Sequence, residues 1–183
     1  MRRRGSVLRL HTALVFGFLV PFLAAVLLNE LRHARAYFRL AVYLPVMLPP
    51  VVTALMWKWF YDPGPGLFNS ALGAVGLPGG QWLDSSTTAM LSLVFVSTWA
   101  NMGSTTLIYL AALGTIPGEL YEAAELDGAG LWKRLRHVTF PQTRFVLLVL
   151  LLLQIVATMQ VFTEPYVMTG GGPDDSTVTV LLL

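Results

Sequence analysis

Residues 121–141 read YEAAELDGAGLWKRLRHVTFP, a charged stretch broken by glycines between two segments apolar enough to enter a bilayer. Pro117 suits the first turn of a helix that brings Glu119, Glu122 and Glu125 towards its positive end, and Gly128 suits a left-handed termination. Beyond the turn, Leu131, Trp132, Leu135 and Val138 fall at helical spacing on one face of a second short helix, with Lys133, Arg134 and Arg136 on the others. Pro141 precedes the next apolar run. A loop this long stays organised where something covers its apolar stripe, and lipid headgroups and a protein partner are the two candidates.

The composition around this stretch points to a membrane. Of 183 residues, 55% are hydrophobic and only 12% charged, against about a quarter in soluble domains. The formal net charge of +2 comes without any basic block, which argues against nucleic acid. The chain has no cysteine, so thiol catalysis, cysteine-ligated metals and disulfides are excluded. The basic start at 1–4 followed by an apolar 12–28 resembles a signal peptide, but no small-residue cleavage site follows and that reading is rejected.

Roughly 20 apolar residues cross a bilayer as a helix, and four stretches come close: 7–28, 40–61, 88–113 and 145–162. The closing run 177–183 is too short to span and is expected to begin a further helix. Basic residues mark the cytoplasmic side. Arg32, Arg35 and Arg39 lie in one connection, and Lys133, Arg134, Arg136 and Arg144 in another, whereas 62–87 and 163–176 contain no Lys or Arg. That alternation puts the charged stretch inside and the turns DPGPGLFN and TGGGPDD outside. Arg2, Arg3, Arg4 and Arg9 conflict with it, and we expect a missing helix ahead of them or a first segment that does not fully span.

The whole of 1–183 reads as one all-α, polytopic transmembrane helical bundle. Pro45, Pro49 and Pro50 each remove a backbone donor, so the second span is expected to kink or locally unwind. Polar residues inside spans face a bundle interior or a cavity. Ser97, Asn101 and Ser104 recur at i, i+4 and i+7, and Gln154 and Thr158 lie one turn apart, so each set shares a helix face. They could line a passage for a hydroxyl-rich solute, with Trp57 or Trp99 stacking on apolar sugar faces, or they could be hydrogen-bonded glue between helices; both stand open. Met56, Met102 and Met159 are assigned to packing, and Glu164, at the outer end of the fourth helix, to surface solvation. His11, His33 and His137 are scattered, and no metal site is supported.

The motif itself carries a resemblance. Glu122-Ala123-Ala124, three residues, Gly128, nine residues, then Val138-Thr139-Phe140-Pro141 is similar to the EAA loop of binding-protein-dependent ABC importer permeases, with Val138 and Phe140 as apolar departures from that family's Ile and Leu. The runs FRLAVYLPVMLPPVVTALMWKWFYDPGPGLFN, IPGELYEAAELDGA and VFTEPYVMTGGGP resemble the carbohydrate-uptake, maltose-type branch. The resemblance implies a type I ABC importer permease core, cut at one or both ends, in the bacterial cytoplasmic membrane. It implies a second permease subunit, a cytoplasmic ATPase dimer that holds the ATP and Mg, and an extracytoplasmic solute-binding protein. The loop at 117–141 would dock on the ATPase: Glu122 facing its polar groups, Ala123 and Ala124 permitting close approach, Gly128 setting the turn, and Asp127 and Pro141 completing the set.

No GxxxxGK[ST] loop is present, so ATP hydrolysis is not expected on this chain. An intramembrane enzyme would need a reactive pair at membrane depth, and the spans contain none. The alternatives to sugar uptake are a permease for a sugar phosphate or polyol, and a structural or channel-like membrane protein.

Overall fold

The computed structural model describes the backbone of residues 2–30 and 35–182 and the side chains of 12–30 and 36–182. Arg32, His33 and Leu183 lie outside the described residues, as do the side chains of Arg2, Arg3, Arg4, Arg9, His11 and Arg35. The elements are all helical: α1 (Arg2–Glu30), α2 (Arg35–Tyr43), α3 (Pro50–Phe60), α4 (Leu67–Ala74), α5 (Ala89–Gly114), α6 (Gly118–Leu126), α7 (Leu131–Arg134) and α8 (Phe140–Met159). A 3-10 turn at Leu44–Met47 extends α2, and single π turns occupy Leu135–Thr139 and Pro165–Thr169.

Among the described residues, two helices are long and apolar enough to cross a membrane, Thr12–Glu30 and Leu131–Met159, and a third counts if Ala36–Met47 and Pro50–Phe60 form one broken span. At 26 residues α5 is roughly 40 Å long; Ser97, Asn101 and Ser104 make it less apolar than the other two. The expected single span at 40–61 turns through 101° at its break. The cause is local. A residue preceding proline is driven out of the helical region, and Leu48 and Pro49 each precede one, so both adopt extended ψ values of 137° and 135°.

The second short helix expected after Gly128 is not a separate element, because α7 runs through the π turn directly into α8. Proline normally clashes with the carbonyl four residues back. The π turn lets Phe140 N–H bond to the Leu135 carbonyl, five residues back, and the wider turn carries Pro141 without a break. The α8 helix ends at Met159, short of the expected 162. No further helix begins at 177–182: Leu182 N–H closes a turn onto the Thr179 carbonyl at 3.1 Å.

Two apolar cores lie at opposite ends of α5. One joins Phe22, Ala25 and Val26 of α1 to Tyr109, Leu110 and Leu113 of α5 and Leu147 and Leu150 of α8. The other gathers Trp57, Tyr61, Leu93, Val96 and Met168, its rings meeting edge-on or tilted, as Trp57 and Trp99 do at 5.2 Å. Within 62–87, Asn69 pins α4 by donating to the Pro63 and Gly80 carbonyls and accepting from Gly80 N–H and Trp82 Nε1.

Candidate functional site

The elbow at 117–141 has a tied back and an open front. The α6 helix ends in a Schellman motif: Ala129 N–H bonds the Ala124 carbonyl and Gly128 N–H the Glu125 carbonyl, both at 2.9 Å. Gly128 sits at φ +69° with nothing within 4 Å of where a Cβ would lie, so the backbone angle alone demands glycine. Gly128→Val is therefore expected to cost about 1–2 kcal/mol and lower Tm by roughly 2–8 °C in detergent, with Gly128→Asn closer to wild type. Equal melting of all three proteins would show that this turn is not held in the left-handed region.

The back of α6 is fixed by specific bonds. Arg134, only 15% exposed, bonds Glu30 at the end of α1 through Nη2 at 3.2 Å and Glu125 of α6 through Nη1. Tyr121 OH and Thr139 Oγ1 pair at 3.0 Å, joining α6 to the π turn. Leu135 and Val138 pack on the first core, whereas Leu131 and Trp132 are exposed, so the apolar stripe expected on one face is divided between core and surface. Glu122, Ala123, Leu126, Asp127 and Pro141 are exposed and Ala124 half-buried. Exposed apolar Leu126, Leu131 and Trp132 beside exposed carboxylates form a surface suited to a polar-rimmed protein partner.

Between the two cores lies a cavity of about 790 Å³, bordered by α1, α3, α5, α8 and the segment after α8. Ser97, Asn101, Ser104, Gln154 and Thr158 all border it. Their bonds stay within their own helices: Asn101 Nδ2 to the Ser97 carbonyl at 2.8 Å, Ser104 Oγ to the Asn101 carbonyl at 3.1 Å, and Gln154 Nε2 to Thr158 Oγ1 at 3.3 Å. Glue between helices is found instead at Thr106, whose Oγ1 donates to the Pro21 carbonyl at 3.3 Å. Thr53 and Thr179 also border the cavity, and their hydroxyls have no partner among the described residues.

Two expectations change here. Trp57 is buried in the second core, and neither it nor Trp99 borders the cavity. Met102 and Met159 do border it. Glu164 is half-buried on the cavity wall rather than freely solvated, because the π turn at Pro165–Thr169 folds the chain back against α3.

Residues 17–182 match the family described as the binding-protein-dependent transport system inner membrane component. The chain belongs to this family. Among curated relatives of this membrane protein, it is 43% identical over 162 residues to the probable ABC transporter permease protein YurN of Bacillus subtilis, covering 87% of this chain and 55% of that one. It is 36% identical over 159 residues to the trehalose/maltose transport system permease protein MalF of Thermococcus litoralis, covering 87% and 54%. The chain thus spans about half the length of the curated relatives it matches. Its fold is similar to that of a chain of a bacterial ABC transporter involved in the import of the acidic polysaccharide alginate, at 26% identity and a TM-score of 0.85 over 95% of this chain and 61% of that one. The same values hold against that transporter in complex with its alginate pentasaccharide-bound periplasmic protein.

Sequence reasoning on this family member missed the Glu30–Arg134–Glu125 clamp, the Tyr121–Thr139 pair and the cavity hydroxyls of Thr53 and Thr179. Tyr121 had a usable signal, standing three residues before the half-buried Ala124 on the inner face of α6. Glu30 and Arg134 had none, since they meet across 104 positions.

Proposed function

We propose that this chain is a transmembrane permease subunit of an ATP-driven ABC importer, for a sugar or oligosaccharide delivered by an extracytoplasmic binding protein. The observation that carries the reading is mechanical. The same α1 and α8 that are bolted to the elbow by Arg134 and the π turn also wall the cavity, through Gly17 and Gln154. An ATPase gripping the front of α6 would tilt these rods as a body and change access to the space between them. ATP and Mg belong to that ATPase, and the elbow faces the cytoplasm of a cell whose membrane the chain crosses more than once. A second permease subunit completes the passage. The names of the relatives support carbohydrate cargo, and the alginate structure supports a periplasmic partner.

The test is disulfide capture in the assembled transporter. Cysteine in place of the exposed Ala123 is expected to crosslink to a cysteine in the ATPase groove, and cysteine in place of the half-buried Ala124 to do so more slowly. No adduct from either position, in membranes where the complex is present and hydrolysing ATP, would sink the docking surface.

A further inference from the structure

We propose that this chain's share of the passage is built for an uncharged, hydroxyl-rich solute and that Glu164 turns anions away; this rests on the permease reading. The cavity wall carries no Lys, Arg or His among the described residues, and its one formal charge is the Glu164 carboxylate. Its remaining polar groups are amides and hydroxyls. Asn101 and Gln154 each spend one of two amide N–H donors on their own helix, so each amide keeps one N–H and its oxygen without a partner among the described residues. A solute hydroxyl both donates and accepts and so matches both kinds of group. A carboxylate, phosphate or sulfonate brings acceptors only. It would enter a space between apolar cores with no counter-charge and with a like charge on the wall, and both terms oppose it.

The structurally similar transporter imports an acidic polysaccharide. The shared backbone is therefore compatible with charged cargo, and the distinction drawn here lies in this chain's own side chains.

The test uses the complete transporter with its own binding protein in proteoliposomes loaded with ATP. The probes are radiolabelled maltose, cellobiose, diacetylchitobiose and raffinose as neutral solutes, with digalacturonate, trigalacturonate and glucose 6-phosphate as anions. ATP-driven uptake of at least one neutral probe is expected to exceed that of every anion by about tenfold or more, the scale set by an unpaired charge at membrane depth. Glu164→Gln is expected to lower that neutral-to-anion ratio by about fivefold, whereas a purely structural Glu164 would scale both uptakes together. Anion uptake equal to or above every neutral probe overturns the inference and leaves the permease reading standing. Absence of ATP-driven uptake of any probe, with no ATPase stimulation by the loaded binding protein, counts against the permease reading and takes the inference with it.

Discussion

Valine in place of Gly103 is expected to leave no folded protein to purify. A Cβ at this position would lie 2.6 Å from the Val42 carbonyl oxygen, 2.9 Å from Tyr43 Cα and 2.9 Å from Val46 Cγ2. Two of these are backbone atoms at the end of α2, where the 3-10 turn crosses α5, and backbone held by helical bonds on both sides cannot step aside as a side-chain tip can. Alanine already collides, at a cost of about 1–3 kcal/mol, and valine adds two methyls to a site with no room for one. The control is Gly114→Ala at the last turn of α5, where nothing lies within 4 Å and a near-neutral effect is expected. The measurement is size-exclusion retention and thermal unfolding in detergent. A Gly103→Val protein with wild-type retention and Tm would mean that α2 does not cross α5 this closely.

What the sequence could and could not announce follows the range of each interaction. Asn101 falls one turn from both Ser97 and Ser104, and helix geometry alone puts them on one side. Whether they bond across helices or along their own cannot be decided by spacing, because both need the same residue types. The break in the second span was legible from Pro45, Pro49 and Pro50, since a lost donor is a local fact. Its 101° turn was not, because that depends on two successive extended residues, Leu48 and Pro49, and on what they pack against. The continuity of α7 into α8 defeated the simple rule that proline opens a new element: an inserted π residue removed the clash. Glu164 and Trp57 were misplaced for one reason. Which end of a chain segment folds back over a helix is set by tertiary contacts, here the Lys58 ammonium donating to the Val167 carbonyl at 3.4 Å and the Trp57 ring nested among five others.

The elbow is where these ranges meet, and Arg134→Met is the substitution that tests it. Methionine keeps the length and the apolar stem but removes both charge-assisted bonds, leaving Glu30 and Glu125 facing the same place with no cation between them. Exposed ion pairs contribute little, and Glu125 at 55% exposure is one such partner. Arg134 itself is 15% exposed, and hydrogen bonds to a charged group in that setting contribute about 1.5–3 kcal/mol. This is small against a whole bundle and large against a lever: once α6 is free of α1, closure of the ATPase moves the elbow without moving the rods. On the proposed function, ATP-driven uptake is expected to fall by about 10- to 100-fold while the protein still inserts, still binds the ATPase and still permits hydrolysis. Arg134→Lys is expected to recover only part of the uptake, since one ammonium cannot span two carboxylates as a planar fork does. Uptake by the methionine variant at the wild-type rate would show that force passes through the Tyr121–Thr139 contact and the α7–α8 continuity alone.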